Sequence, residues 1–246
     1  MTRQPSTDLL LPFFLFRVLA MLLVAANVQA ETSEGYLIGR GSADVTGPAY
    51  DIPMWGFGRP DQLTEGIHIR QLARAFIVAE TTVETAAENP GATTDSKRLA
   101  LVSVDIGSIE HNMVLEVVDR LKTQFGDTYH LDNLILSATH THAGAGGYWH
   151  SRTDLGLDGG FYPDHFEYIV DGIVQAIEQA HDDLKAGRIL INTGIVEAAG
   201  VNRSLNAYRQ NPEDERARYA ADTDKQMTLL RFENDTGGIG LFNWFA

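Results

Sequence analysis

Apolar residues along the chain change between strand-like and helix-like spacing, which predicts an α/β fold. Between residues 109 and 125 they recur at the helical period of about 3.6 residues, and Gly126 follows as a C-terminal cap. Short apolar runs at residues 98–106 and 134–138 flank that helix and are typical of strands. A strand, a helix and a second strand in this order predict a parallel pair of strands.

The remaining pattern completes a mixed β-sheet with flanking helices. Residues 51–66 are rich in Gly and Pro and predict an irregular loop, while residues 84–97 are polar and predict a surface excursion. Further predicted elements are strands at 36–46, 73–80 and 188–197, a long helix at 162–186, and a hairpin of residues 227–233 and 239–245.

The two ends of the chain carry expectations about its origin. Residues 1–30 contain an apolar segment from Leu9 to Ala26, followed by the cleavage-site-like Val28-Gln29-Ala30, and this order is typical of a cleaved secretory signal. We therefore expect a secreted or periplasmic protein; an uncleaved membrane anchor is the alternative. Residues 240–246 predict a buried strand, and chains rarely end within one. We expect residues 31–246 to be the N-terminal part of a longer, truncated domain.

Composition excludes several classes of function. The formal net charge of −14 over 246 residues argues against nucleic-acid partners, which need a basic surface, and against electrostatic docking on anionic lipid. The chain has no cysteine, so thiolate metal sites and cysteine nucleophiles are excluded. Any metal must therefore bind to histidine, carboxylate, tyrosine or backbone oxygen.

The chemically most informative segment is Thr139-His140-Thr141-His142, directly after the strand predicted at residues 134–138. If this segment is extended, both rings point to one face and could share a zinc ion. Alternatively one ring binds metal and the other transfers protons, or the histidines simply end a strand. The small residues at 143–147 would let a substrate approach the backbone closely.

Two further residues have open interpretations. Arg203 lies after a predicted strand, where its planar donors could hold a substrate hydroxyl or carbonyl, or form a structural ion pair. Asp105 ends a predicted strand and could support a metal ligand or cap the following helix.

Several segments, taken in order, resemble the neutral (non-lysosomal) ceramidase family. Any one of them is a weak signal, but the ordered set is highly specific. They are residues 39–48 (GRGSADVTGP), 54–58 (MWGFG), 66–70 (GIHIR), 74–78 (RAFIV), 103–107 (SVDIG), 133–148 (NLILSATHTHAGAGGY), 202–204 (NRS), 210–225 (QNP through ERARY to DK) and 244–246 (WFA).

The resemblance implies a zinc-dependent hydrolase that cleaves the amide bond of ceramide to sphingosine and a fatty acid, with transient contact to a membrane or micelle surface. His140 then corresponds to a zinc ligand, while His142 and Arg203 correspond to active-site residues. The His68 backbone corresponds to a ligand of a structural calcium or magnesium ion. The other zinc ligands and the proposed nucleophile of the family would follow Ala246, so we expect these 246 residues alone to be inactive.

Three positions depart from the family pattern: Ala143 and Ala145 replace Ser and Pro, and Leu205 replaces Pro. They leave His140, His142 and Arg203 in place. Two alternatives remain open, namely another secreted metal-dependent amidohydrolase, such as a barrel type, and a secreted binding module without catalysis.

Overall fold

The structure is a computed structural model that describes residues 31–48, 50–59, 61–80, 97–150 and 160–245. It contains strands β1 to β7 and helices α1 to α4. The predicted signal segment and most of the predicted excursion at residues 84–97 lie outside the described residues. The strands are β1 (Glu31–Asp44), β2 (Leu72–Glu80), β3 (Arg98–Val104), β4 (Leu134–Ala138), β5 (Lys185–Ile195), β6 (Gln226–Asn234) and β7 (Gly237–Phe245). The helices are α1 (His111–Phe125), α2 (Pro163–Asp182), α3 (Leu205–Tyr208) and α4 (Glu213–Arg216).

All seven strands form one mixed sheet in the order β4-β3-β2-β1-β5-β6-β7. Strand β2 pairs antiparallel with both β1 and β3, whereas β3 pairs parallel with β4 through the register Ala100↔Leu134. The predicted parallel pair and the mixed sheet are therefore confirmed. The described residues do not form a barrel of repeated strand–helix units.

The chain divides into two compact units. Among the described residues, the larger unit lies within Ser33–Ile189 and Arg231–Gly240, and the smaller lies within Leu190–Leu230 and Leu241–Ala246. In the larger unit, helices α1 and α2 bury their apolar stripes in the core beside β2 and β3. The fully buried residues of those stripes include Met113, Val117, Leu121, Ile169, Ile173 and Ile177.

Helix α1 confirms its predicted cap. Its last residue is Phe125, and Gly126 adopts a positive φ of 60° with its backbone N–H donating to the Lys122 carbonyl. Glycine reaches this conformation without the strain that a Cβ atom would cause. The described residues contain no helix that is both long and apolar enough to cross a membrane.

Most element boundaries differ from the sequence prediction by up to five residues, and two of these differences have a clear structural basis. Helix α2 ends at Asp182 instead of residue 186, because Asp183 accepts hydrogen bonds from the Arg40 backbone N–H and from Lys185, which begins β5. The final hairpin is longer and tighter than predicted. Its strands extend to Asn234 and from Gly237, where a φ of 113° allows the short turn.

Candidate active site

Strand β4 delivers His140 and His142 to the carboxyl end of the parallel pair. Its last residue is Ala138, after which the Thr139 N–H still donates to the Val104 carbonyl at 2.9 Å. His140 then adopts a positive φ of 60°, so the extended geometry on which the one-face arrangement depended is not formed. The left-handed residue turns the chain, and the rings still meet, with centroids 5.1 Å apart and planes at 73°.

A backbone contact orients the His140 ring. Its Nδ1 lies 2.8 Å from the Gly107 carbonyl oxygen, and because a carbonyl can only accept, Nδ1 carries the proton and donates. The second nitrogen, Nε2, then keeps its lone pair. His140 is also solvent-exposed. An exposed imidazole whose other nitrogen donates to a backbone carbonyl has the arrangement that metal-binding histidines commonly adopt.

Aromatic residues of the loop before β2 surround the histidine pair. The Trp55 ring meets His140 and His142 edge to face, at centroid distances of 5.1 Å and 5.2 Å. Phe57 meets His142 in the same way at 5.4 Å. Between them lies Gly56, where a Cβ atom would fall 2.7 Å from Cε1 of His142. Glycine is therefore required for the His142 ring to lie this close to the loop.

Main-chain hydrogen bonds tie that loop to the segment after His142. The Trp55 N–H donates to the Gly144 carbonyl at 3.1 Å, and the Gly146 N–H donates to the Pro53 carbonyl at 2.8 Å. As a result residues 144–148 are buried. The glycine-rich segment therefore packs against the aromatic loop, and close approach of a substrate to its backbone stays a prediction.

Gly107 connects the loop to the pair through two different contacts. Its carbonyl orients His140, and its missing side chain makes room for the Trp55 ring: a Cβ atom there would lie 2.0 Å from Cδ2. Neighbouring Asp105 does not cap α1, because its Oδ2 accepts from the Leu72 N–H at 3.1 Å and from Arg74 at 2.8 Å. Asp105 instead joins β3 to the start of β2.

The other two predicted site residues have less defined surroundings. His68 is exposed in the loop before β2. Arg203 belongs to the smaller unit, where it is exposed between Asn202, which bonds to the Asp222 carbonyl at 3.1 Å, and helix α3. The structure thus brings His140 and His142 together, and the roles of His68 and Arg203 stay predictions.

Imidazole is a common zinc ligand, but two imidazoles are too few to hold a zinc ion. A zinc ion in a protein is held by at least three protein ligands. Among the described residues no group of three or more histidines and carboxylates could hold a metal ion.

The described residues form a mixed α/β fold that carries a pair of adjacent imidazoles, and comparisons with known proteins give its family. Residues 36–246 match the family model described as "Neutral/alkaline non-lysosomal ceramidase, N-terminal". The chain belongs to this family.

Similar proteins come from plants and bacteria. The chain is 41% identical to the neutral ceramidase of Oryza sativa over 95% of its own length, and 36% identical to that of Mycobacterium tuberculosis over 85%. A crystal structure of neutral ceramidase from Pseudomonas aeruginosa superposes with a TM-score of 0.75 at 38% identity and covers 87% of the chain. The chain spans 28%, 31% and 32% of the lengths of these three proteins.

The aromatic loop is what reasoning from single residues missed. Residues 54–58 contributed to the family resemblance, but neither Trp55 nor Phe57 was given a role. Two Gly residues beside an aromatic pair in a loop were the available signal.

Proposed function

We propose that the whole protein hydrolyses the amide bond of ceramide (N-acylsphingosine) to sphingosine and a fatty acid, and that it does so with zinc. Membership of the family and the names of the relatives support the reaction. The observation that carries the proposal is the orientation of His140. Its Nδ1 donates to Gly107, which leaves Nε2 with a free lone pair at an exposed position.

Zinc supplies Lewis acidity, which polarises an amide carbonyl and makes water a better nucleophile. His140 would hold the ion through Nε2. The His142 ring lies beside the His140 ring. It would exchange a proton with the substrate or its water, or orient the substrate. Arg203 would position the polar head group through its planar donors. The His68 carbonyl would contribute to a structural calcium or magnesium site, since both ions prefer oxygen ligands.

Residues 31–246 alone should neither retain zinc nor hydrolyse ceramide. The reason is ligand number, because the described residues offer two imidazoles and no third donor in one group. We propose that the missing ligands come from other parts of the whole protein. Stoichiometric zinc and turnover in the isolated 31–246 segment would disprove this.

The N-terminal sequence supports a secreted or periplasmic location, with residues 1–30 as the removed signal. The substrate is a lipid amide, so we propose that the protein contacts a membrane or micelle surface transiently. Mass spectrometry of the secreted protein would test the location and the removal of the signal, since the first residue of the mature chain should be Glu31.

A substrate panel tests the proposed reaction. The whole protein is incubated with ceramide and with N-acyl amino acids of the same chain length, and fatty-acid release is measured. We expect ceramide to be the preferred substrate and His142→Ala to abolish most of the turnover. Preference for N-acyl amino acids would indicate a different amidohydrolase. Absence of all hydrolysis would favour a binding module.

A further inference from the structure

The indole N–H of Trp55 is a buried hydrogen-bond donor that lacks an acceptor. Its Nε1 is shielded from solvent and has no hydrogen-bond partner in the part of the chain that the structure describes. An indole can only donate, so the group has no alternative use as an acceptor. Buried polar groups of this kind are rare in native proteins and call for an explanation.

The position of the ring connects this donor to the histidine pair. Trp55 meets both imidazoles edge to face, at 5.1 Å and 5.2 Å between centroids. Its Cδ2, Cε3 and Cε2 atoms pack over Gly107, the residue whose carbonyl orients His140. The Trp55 backbone is thus hydrogen-bonded to Gly144, and its ring packs against Gly107. The indole ring that carries this donor therefore lies against both imidazoles of the candidate site.

A second tryptophan shows how a packed indole in this chain finds a hydrogen-bond acceptor for its N–H. Trp149 lies partly buried against the same core, and its Nε1 donates to the Ser108 hydroxyl at 3.1 Å. Trp55 has no such partner. The two side chains are chemically identical, so the difference lies in what their surroundings offer.

We infer that the Trp55 Nε1–H donates to the carbonyl oxygen of the substrate amide, an inference that rests on the proposed amide hydrolysis. When water adds to the carbonyl carbon, the π electron pair moves onto this oxygen, and the N–H bond to it strengthens as the charge grows. Trp55 keeps its proton throughout. The attacking water gives a proton to His142, the electron pair on the oxygen returns to restore the carbonyl as the C–N bond breaks, and the leaving nitrogen takes up that proton to become the free amine while the acyl group leaves as the fatty acid. Trp55 is thus a catalytic residue through contact with a reacting atom.

The test replaces the N–H without changing the shape of the ring. In the whole protein, Trp55→3-benzothienylalanine exchanges the indole nitrogen for sulfur, and Trp149→3-benzothienylalanine is the matched control. Ceramide turnover, zinc content and Tm are measured for both. For the Trp55 variant we expect kcat to fall on the order of 100-fold, as when one donor to a developing oxyanion is removed, with KM and zinc content unchanged and Tm not lowered. The control should lower Tm and keep kcat.

A binding measurement separates this inference from the proposed reaction. The indole N–H resonance of Trp55, assigned by its loss in Trp55→Phe, should move downfield when short-chain ceramide is added to the whole protein. If the wild type hydrolyses ceramide and the Trp55 variant keeps the wild-type kcat, the inference is overturned while the proposed function stands. If the Trp55 variant has a lowered Tm and an unchanged kcat, the indole N–H donates to an acceptor within the folded protein, and the inference is also overturned. If the wild type does not hydrolyse ceramide, the proposed function fails; an unmoved resonance then overturns the inference as well, and a shifted one supports the donor role in binding.

Discussion

Replacing Gly107 by alanine should disturb the candidate site through a single added methyl group. A Cβ atom at this position would lie 2.0 Å from Cδ2 and 2.1 Å from Cε3 of Trp55. Gly107 does not have a positive φ, so alanine meets no backbone strain there. The whole effect of Gly107→Ala must therefore come from the collision with the indole ring.

The size of the effect follows from these distances. Carbon atoms in contact lie about 3.5 Å apart or more, so the Trp55 ring must move by roughly 1.5 Å. Overpacking of this kind costs about 1–3 kcal/mol of folding free energy. The ring touches His140 and His142, and a misplacement of about 1 Å at reacting groups can cost on the order of 100-fold in rate. We therefore expect kcat to fall on the order of 100-fold and the free energy of unfolding to fall by about 1–3 kcal/mol.

The assay is a double-mutant cycle in the whole protein, with Tm from calorimetry and turnover measured in parallel. The variants are Gly107→Ala, Trp55→Leu and the combination. Since leucine removes the atoms that collide, Gly107→Ala should cost little stability in the Trp55→Leu background. The control is Gly66→Ala, where a Cβ atom would meet nothing within 4 Å. If Gly107→Ala is as harmless as Gly66→Ala, the Trp55 ring does not rest on Gly107 and the reasoning is refuted.

Two more predictions concern single residues. Burial lowers the pKa of His165 to about 4 from 6.5, with the Ala145 backbone opposing this weakly. The unfolded chain then binds a proton that the folded chain rejects, so stability should fall from about pH 6.5 to pH 4 by up to about 3 kcal/mol. His165→Leu should remove this part of the slope in urea titrations across pH, and an unchanged slope would contradict it. Gly56→Ala should lower kcat roughly 10-fold further than Gly58→Ala. Both glycines have positive φ, but only Gly56 faces the His142 ring. Equal losses would show that His142 does not depend on this contact.

Much of the fold could be predicted because its signals are local. The apolar stripe of α1 and the glycine after it predict the end of that helix at Phe125 correctly, and its start at His111 lies two residues after the predicted one. The parallel pairing of β3 and β4 followed from the helix between them. The end of α2 could not be predicted, because it depends on a contact between Asp183 and Arg40, which lie 143 positions apart.

In the candidate site too, some features were visible in the sequence and others depend on tertiary structure. His140 and His142 stand out in sequence because both are in one short segment. The positive φ of His140 leaves no mark in the pattern of residues, so whether this segment is extended could not be decided from the sequence. The role of Trp55 depends on packing against residues that are distant in sequence, above all Gly107. Such close approaches come from tertiary structure and not from local propensity.

The zinc content of the whole protein, with and without His140, tests the central claim most directly. The wild type, His140→Ala and the control His130→Ala, a surface histidine, are purified without added metal and analysed by elemental mass spectrometry alongside ceramide turnover. We predict about one zinc per site and full turnover in the wild type and the control, and loss of both in His140→Ala. Stoichiometric zinc and undiminished hydrolysis in His140→Ala would contradict the account.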